Sequence, residues 1–176
     1  MTTNDFNTLQ KVSKQDLELI NRQNHTELSA DEIITFPIIL CDNEIDRDFD
    51  VFSDKALASL ASLFVGKIEF SNHNTRIYKT ELICDNERTT KYGESYKYLK
   101  AWCYAEKSDI NENSFEGIDI NNKVCISCNF SESVCSVCGK RTCRHKVGML
   151  YGDELCFKRL SDITEAYEWH FMTVSN

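Results

Sequence analysis

Residues 135–145 read Cys-Ser-Val-Cys-Gly-Lys-Arg-Thr-Cys-Arg-His, a C-x2-C-x4-C-x-H pattern, and Cys156 follows. A two-residue gap lets both thiolates of a knuckle face one ion, and Zn2+ takes four N or S ligands in a tetrahedron. Cys143 and His145, separated by one residue, project to the same side of an extended segment. Cys135, Cys138, Cys143 and His145 therefore make a complete ligand set. Cys156 is a fifth candidate that can replace Cys143 or His145. Four protein ligands leave no open position for water or substrate, so the expected zinc is structural and its binding energy acts as folding energy. The competing reading is a loop of free thiols. A redox C-x-x-C is disfavoured, because no helix follows the first cysteine to depress its pKa.

The rest of the composition bounds the protein class. The chain has 176 residues, 41% of them hydrophobic and 27% charged, which favours one globular domain with a real core. No apolar run is long enough to span a membrane. The first twenty residues lack the basic start and apolar centre of a secretory signal, which predicts a cytosolic protein. A net charge of −8 argues against non-specific nucleic-acid binding. Nine cysteines cannot all pair within one chain, and in a reducing compartment they read as ligands, a reactive thiol or small core residues.

Residues 1–30 are polar and read as an N-terminal arm, with one helix signal where Ser13 and Asp16 precede Leu17 and Ile20. The run Ile33 to Leu40 predicts a buried strand, with Pro37 implying an edge or a bulge. An acidic turn spans Asp42 to Asp50. Ser53 then caps an amphipathic helix carrying Leu57, Leu60, Ala61 and Phe64, ended by Gly66. Further strands are expected over 67–71, 76–84, 96–105, 124–130 and 166–174, and a short helix with Phe115 and Ile118 inward over 109–122. The strand over 96–105 shows an aromatic face of Tyr96, Tyr98, Trp102 and Tyr104. Residues 131–157 read as the cysteine loop. Cys41, Cys84 and Cys103 read as packing residues. Strands outnumber helices, so the expected fold is α+β, a small closed or half-closed sheet flanked by helices.

Several separated stretches, in order, resemble the prohead (capsid maturation) proteases of tailed bacteriophages. These are Asp31-Glu32-Ile33 through Leu40 to Phe49, Leu63-Phe64-Val65-Gly66-Lys67, Ala166-Tyr167-Glu168-Trp169, and the loop Cys135-x-x-Cys-Gly, Cys143-x-His145, Gly148, Tyr151-Gly152 and Cys156. The resemblance covers roughly residues 31–174. It implies a β-barrel with surrounding helices, like the herpesvirus assembly protease, with the zinc loop inserted at 131–157 of a domain spanning 31–176. It implies cleavage of scaffold and capsid proteins within the immature shell, by a serine nucleophile, a histidine base and a third group. The implied partners are phage capsid and scaffold proteins, without nucleic acid or membrane, and a homo-oligomer stays open.

The family's nucleophile lies in a stretch of the type Val-Ser-Ile-Ser-Cys. Here Val124-Cys125-Ile126-Ser127-Cys128 puts Cys125 in the serine's place, with Ser127 two residues on as a second candidate. A thiolate is a strong nucleophile when a neighbouring base lowers the thiol's pKa; the competing reading is an inert strand cysteine. In the base region, Phe70-Ser71-Asn72-His73-Asn74 offers His73 if one residue is inserted and Asn72 if none is. Glu168 matches the family's acidic residue and would orient a histidine, or is a structural carboxylate. His170, two residues on, is a further imidazole on the same side of the strand. Two functions follow as expectations: an active capsid-maturation peptidase using Cys125, His73 and Glu168, or a catalytically inactive relative that keeps a structural role in the virion with its zinc loop intact.

Overall fold

The computed structural model describes residues 11–70, 74–109 and 124–171. Its elements, in chain order, are α1 (Lys14–Asn24), β1 (Ile33–Asp42), β2 (Asp50–Phe52), α2 (Asp54–Leu63), β3 (Arg76–Thr89), β4 (Ser95–Glu106), β5 (Val124–Cys135), β6 (Leu150–Tyr151), β7 (Glu154–Leu155) and β8 (Lys158–Phe171). No described helix is long and apolar enough to cross a membrane.

The capping signals act where the sequence puts them. Ser13 accepts from the Asp16 N–H and opens α1, and Ser53 accepts from the Ala56 N–H and opens α2. After α2 the chain turns through Gly66 (φ 85°), whose N–H donates to the Ile77 carbonyl at 2.7 Å. That positive φ lets the segment leaving the helix meet the start of β3.

Two three-stranded sheets form, in the orders β1-β4-β3 and β2-β8-β5, with a small β6-β7 ribbon. β1 is an edge strand, which accommodates Pro37, and its pairing shifts register between Ile39 and Cys41. β4 shows why alternation matters. Leu99, Ala101 and Cys103 point into the main core with Phe36, Ile38, Leu40, Ile77, Leu60, Phe64, Ala166 and Trp169. The opposite face carries the aromatics: Tyr96 stacks on Tyr98, the Lys79 and Lys100 ammonium groups lie over Trp102, and Tyr104 meets Tyr78 edge to face. α1 covers the Tyr104 end, burying Ile20 completely against Ile33, Tyr78 and Tyr104. Part of the segment expected as an arm thus supplies a second core.

Some expectations are corrected. Among the described residues the sheets are open, so the expected closed barrel is not formed; the supported architecture is mixed α+β, mostly strands, with two helices. The cysteine loop is shorter than 131–157. β5 continues to Cys135 and β8 begins at Lys158, so residues 131–135 belong to the sheet. Of the expected strand over 67–71, residues 67–70 make only single bridges, Ile68 with Arg76 and Glu69 with Trp169, and Ser71 lies outside the described residues. Cys84 is exposed rather than packed, near the solvent end of the β3-β4 hairpin, whereas Cys103 is fully buried. The helix expected over 109–122 lies outside the described residues except at Asp109, where a 3-10 turn (Lys107–Asp109) ends.

Because Ile20 is wholly enclosed, Ile20→Ala should remove transfer free energy and leave a cavity, costing about 2–4 kcal/mol. Urea unfolding of the full chain checks this; an unchanged midpoint would mean that α1 does not dock.

Candidate functional site

The C-x-x-C turn follows directly from the end of β5. The Gly139 N–H donates to the Cys135 carbonyl at 2.8 Å, and the Cys135 N–H to the Lys140 carbonyl at 3.0 Å. Gly139 has φ 67°, a conformation that lets the chain fold back after the second cysteine. Ser136 ties the turn to the other side of the loop: its N–H donates to the Phe157 carbonyl, and its Oγ accepts from the Phe157 N–H at 2.9 Å. Gly148 (φ 78°) sits against the Phe49 ring, where a Cβ would come within 2.9 Å of it. Neither Ser136 nor Phe49 stands out in the sequence as part of a site, and only the Gly148 spacing hints at a close approach.

The loop gathers its donors. The ligand atoms of Cys135, Cys138, Cys143 and His145 all lie within 4.8 Å of one another. The His145 Nδ1 lies 3.5 Å from the Cys135 Sγ, and the His145 ring meets Tyr151 edge-on at 4.4 Å. Cys156 is buried beside this quartet, its Sγ 3.7 Å from that of Cys135. A cavity of about 180 Å³ opens among them, lined in part by Cys135, Cys143, His145 and Cys156.

The electrostatics suit cation binding. Burial pushes the Cys135 thiol up, but the N–H groups of Cys138 and Val137 and the His145 imidazole outweigh it and bring the thiol down to about 6. Burial, then the hydrogen bond to Cys135, push Cys156 up to about 11. The Cys135 and Cys156 sulfurs, 3.7 Å apart, share a hydrogen bond. Three sulfurs and one ring nitrogen form a donor set suited to a soft or borderline divalent ion, and the four could hold one ion in a way consistent with zinc.

The second group of predicted residues lies at the opposite end of the same ladder. β5 and β8 are antiparallel, and Cys125 pairs directly with His170, Ile126 with Trp169 and Cys128 with Ala166. Direct partners share a face of the sheet, with Cβ atoms about 4.5–5.5 Å apart. Trp169, Val124, Ile126 and Cys128 turn toward the core, whereas Cys125 and His170 are half-buried on the other face. Glu168, two residues before His170, alternates onto that same face. The register shifts between Ile126 and Cys128, which leaves the exposed Ser127 opposite Tyr167 and Glu168. No side-chain hydrogen bond joins Cys125 to His170.

Next to this face lies a cleft of about 270 Å³ lined by residues 66–70, Tyr167 and Glu168; Cys125 is not part of its wall. The Phe70 N–H donates to the Trp169 carbonyl at 2.8 Å, fixing this segment to β8. Glu69 is 1% exposed. The expected base, His73, lies outside the described residues, as do Asn72 and Ser71.

Comparison of the chain with family models, with curated proteins and with solved structures gives no match.

Elemental analysis of the purified chain should find about one zinc per chain, and Cys135→Ser should remove it. The metal should be lost as pH falls, because protons compete for the thiolates, so affinity rises with pH until the ligands are deprotonated. A chain that is fully folded without metal and insensitive to chelation would contradict this.

Proposed function

We propose that the chain is a prohead-protease-like protein acting in tailed-phage capsid assembly or maturation, with Cys125 in the nucleophile's place. The observation that carries this reading is the shared face of Cys125, His170 and Glu168 on the β5-β8 ladder, turned away from the core and next to the cleft. An inert packing cysteine would be expected on the Trp169 side instead. In this reading the metal is a structural zinc.

The chemistry is acyl transfer. A base, His73 by the resemblance, takes the Cys125 thiol proton, and the thiolate attacks the scissile carbonyl carbon. The C–N bond breaks as the base returns the proton to the leaving amine, and water then hydrolyses the thioester and restores the thiol. Glu168 would hold the imidazole and stabilise its cationic form. The substrates are scaffold and capsid proteins, met inside the immature shell in the host cytoplasm.

A second reading has its own support. The Cys125 thiol makes no hydrogen bond to the His170 ring and does not line the cleft, which is what a protease-like structural protein that has lost catalysis would show. One experiment separates the two. The chain is co-expressed with the neighbouring capsid and scaffold genes, and product masses are compared for wild type, Cys125→Ala and His73→Ala. The peptidase reading expects truncated capsid or scaffold protein in wild type only, with a thiol alkylator blocking the cut if Cys125 rather than Ser127 attacks. Unchanged masses in all three reject the peptidase and leave the structural role.

A further inference from the structure

The Cys/His loop brings five donors together where a tetrahedral ion takes four. The quartet of Cys135, Cys138, Cys143 and His145 is complete without Cys156, which leaves a thiol that neither metal binding nor acyl transfer uses. That thiol belongs to a residue 1% exposed, and its sulfur lies 3.7 Å from that of Cys135, in hydrogen-bond contact. The pair differs from a redox C-x-x-C. Both cysteines of the C-x-x-C turn are in the quartet, whereas Cys156 stays free to react while the ion is bound.

The backbone holds the two sulfurs together. The Ser136 N–H donates to the Phe157 carbonyl and its Oγ accepts from the Phe157 N–H, both at 2.9 Å, while the same hydroxyl donates to the Leu155 carbonyl at 3.2 Å. The residue after Cys135 is thus bound to both neighbours of Cys156. Cys156 is fixed in turn by its own N–H, which donates to the Met149 carbonyl, and by its carbonyl, which accepts from the Gly148 N–H, both at 2.8 Å. With the backbones fixed, each sulfur moves chiefly by rotation about χ1, so one thiol meets the other at high effective concentration. An S–S bond needs the sulfurs to close to about 2.0 Å. The cavity of about 180 Å³, lined in part by Cys135 and Cys156, has room for a molecule of two oxygen atoms, since a water takes about 30 Å³.

We propose that Cys135 and Cys156 form a peroxide-reactive thiol pair whose oxidation to a disulfide releases the metal. The Cys135 sulfur attacks one peroxide oxygen, the O–O bond breaks, and one water leaves as Cys135 becomes a sulfenic acid. The Cys156 sulfur then attacks that sulfur, the S–O bond breaks, and the departing hydroxide takes the Cys156 proton as a second water. Two thiols and one peroxide give one disulfide and two waters; sulfur is oxidised and the peroxide oxygens are reduced. The disulfide withdraws Cys135 from the quartet and leaves Cys138, Cys143 and His145, one donor short of a tetrahedron. It also joins the end of β5 to the residue two before β8 begins, so the root of the loop stays linked while the metal leaves. A dithiol reductant reverses the step by thiol–disulfide exchange. The proposal rests on the metal site described above and stands whether or not Cys125 is catalytic.

The test treats the zinc-loaded full chain, free of reductant, with a small excess of hydrogen peroxide. Freed zinc is read with a chromogenic chelator, the remaining thiols are alkylated, and disulfides are located by mass spectrometry of unreduced peptides. About one zinc should be freed per Cys135–Cys156 linked peptide, and dithiothreitol with added zinc should restore the starting state. Cys156→Ser should bind zinc as the wild type does but form no such link. Its Cys135 sulfenic acid, trapped with dimedone, should exceed that of the wild type about tenfold or more, because the thiol that consumes it is gone. Cys156→Ala gives the same result if a buried hydroxyl disturbs folding, and the wild-type disulfide map stands without either variant. Cys84→Ser, which removes an exposed thiol on β3, should leave every readout unchanged. Zinc content before oxidation tests the metal site, whereas the disulfide map tests the pair. A link that joins Cys135 to Cys138, or Cys138 to Cys143, in place of Cys156 would overturn the proposal. So would equal dimedone trapping in wild type and Cys156→Ser, or a folded Cys156→Ser chain without zinc, which would make Cys156 a ligand.

Discussion

The antiparallel pairing of β5 with β8 is the constraint on which the functional part of the molecule depends. One end of that ladder holds Cys125 opposite His170; at the other, Cys135 pairs with Lys158, and the strands part into the Cys/His loop. A slip of one residue between these strands would turn Cys125 or His170 toward the core, so that the two no longer share a face. The ladder already carries two register shifts, so pairing alone is a weak guarantee of its alignment. The four donors close the connection between the strands and restrict how far they can slide. A metal held by them would limit that sliding and so bear on the alignment of Cys125 at the other end.

The surroundings reinforce the same alignment. Trp169 is fully buried between the sheets, and its carbonyl receives the Phe70 N–H, so the cleft segment is tied to the Cys125 end of the ladder. At the metal end, Phe49 links the acidic turn to Gly148, while the Phe49 carbonyl accepts from the Lys158 N–H at 2.9 Å. Arg159 reaches across with two hydrogen bonds to Glu94, joining the start of β8 to the β3-β4 hairpin. Both ends of β8 are thus held by elements distant in sequence.

Legibility in the sequence followed the strength of local signals. The metal donors were readable because ligand spacing is a local property, and α2 because Ser53 and the helical spacing of Leu57 and Leu60 agree. β4 was readable because its apolar and aromatic residues alternate. The end of β3 beyond Cys84 was not, since Asp85, Asn86, Glu87 and Arg88 give a polar run with no buried face to mark a period. β5 through Ser131-Glu132-Ser133 and β8 through Asp162 were missed for a related reason. Their stretches are polar, and Asp162 takes φ 49°, which breaks the alternation a strand normally shows. The pairing of Cys125 with His170 was beyond local reading altogether, because it depends on register across two irregularities. The expected barrel failed at the same level: strand content is legible in a sequence, whereas closure depends on which edges meet.

Amide hydrogen exchange, followed residue by residue on the metal-loaded chain and after chelation, tests the link between the two ends of the ladder most directly. The account predicts that removing the metal lowers protection along β5 and β8 as far as Ile126 and Trp169, while the β1-β4 pairing stays protected. Unchanged protection of β5 and β8 after complete metal removal would contradict it.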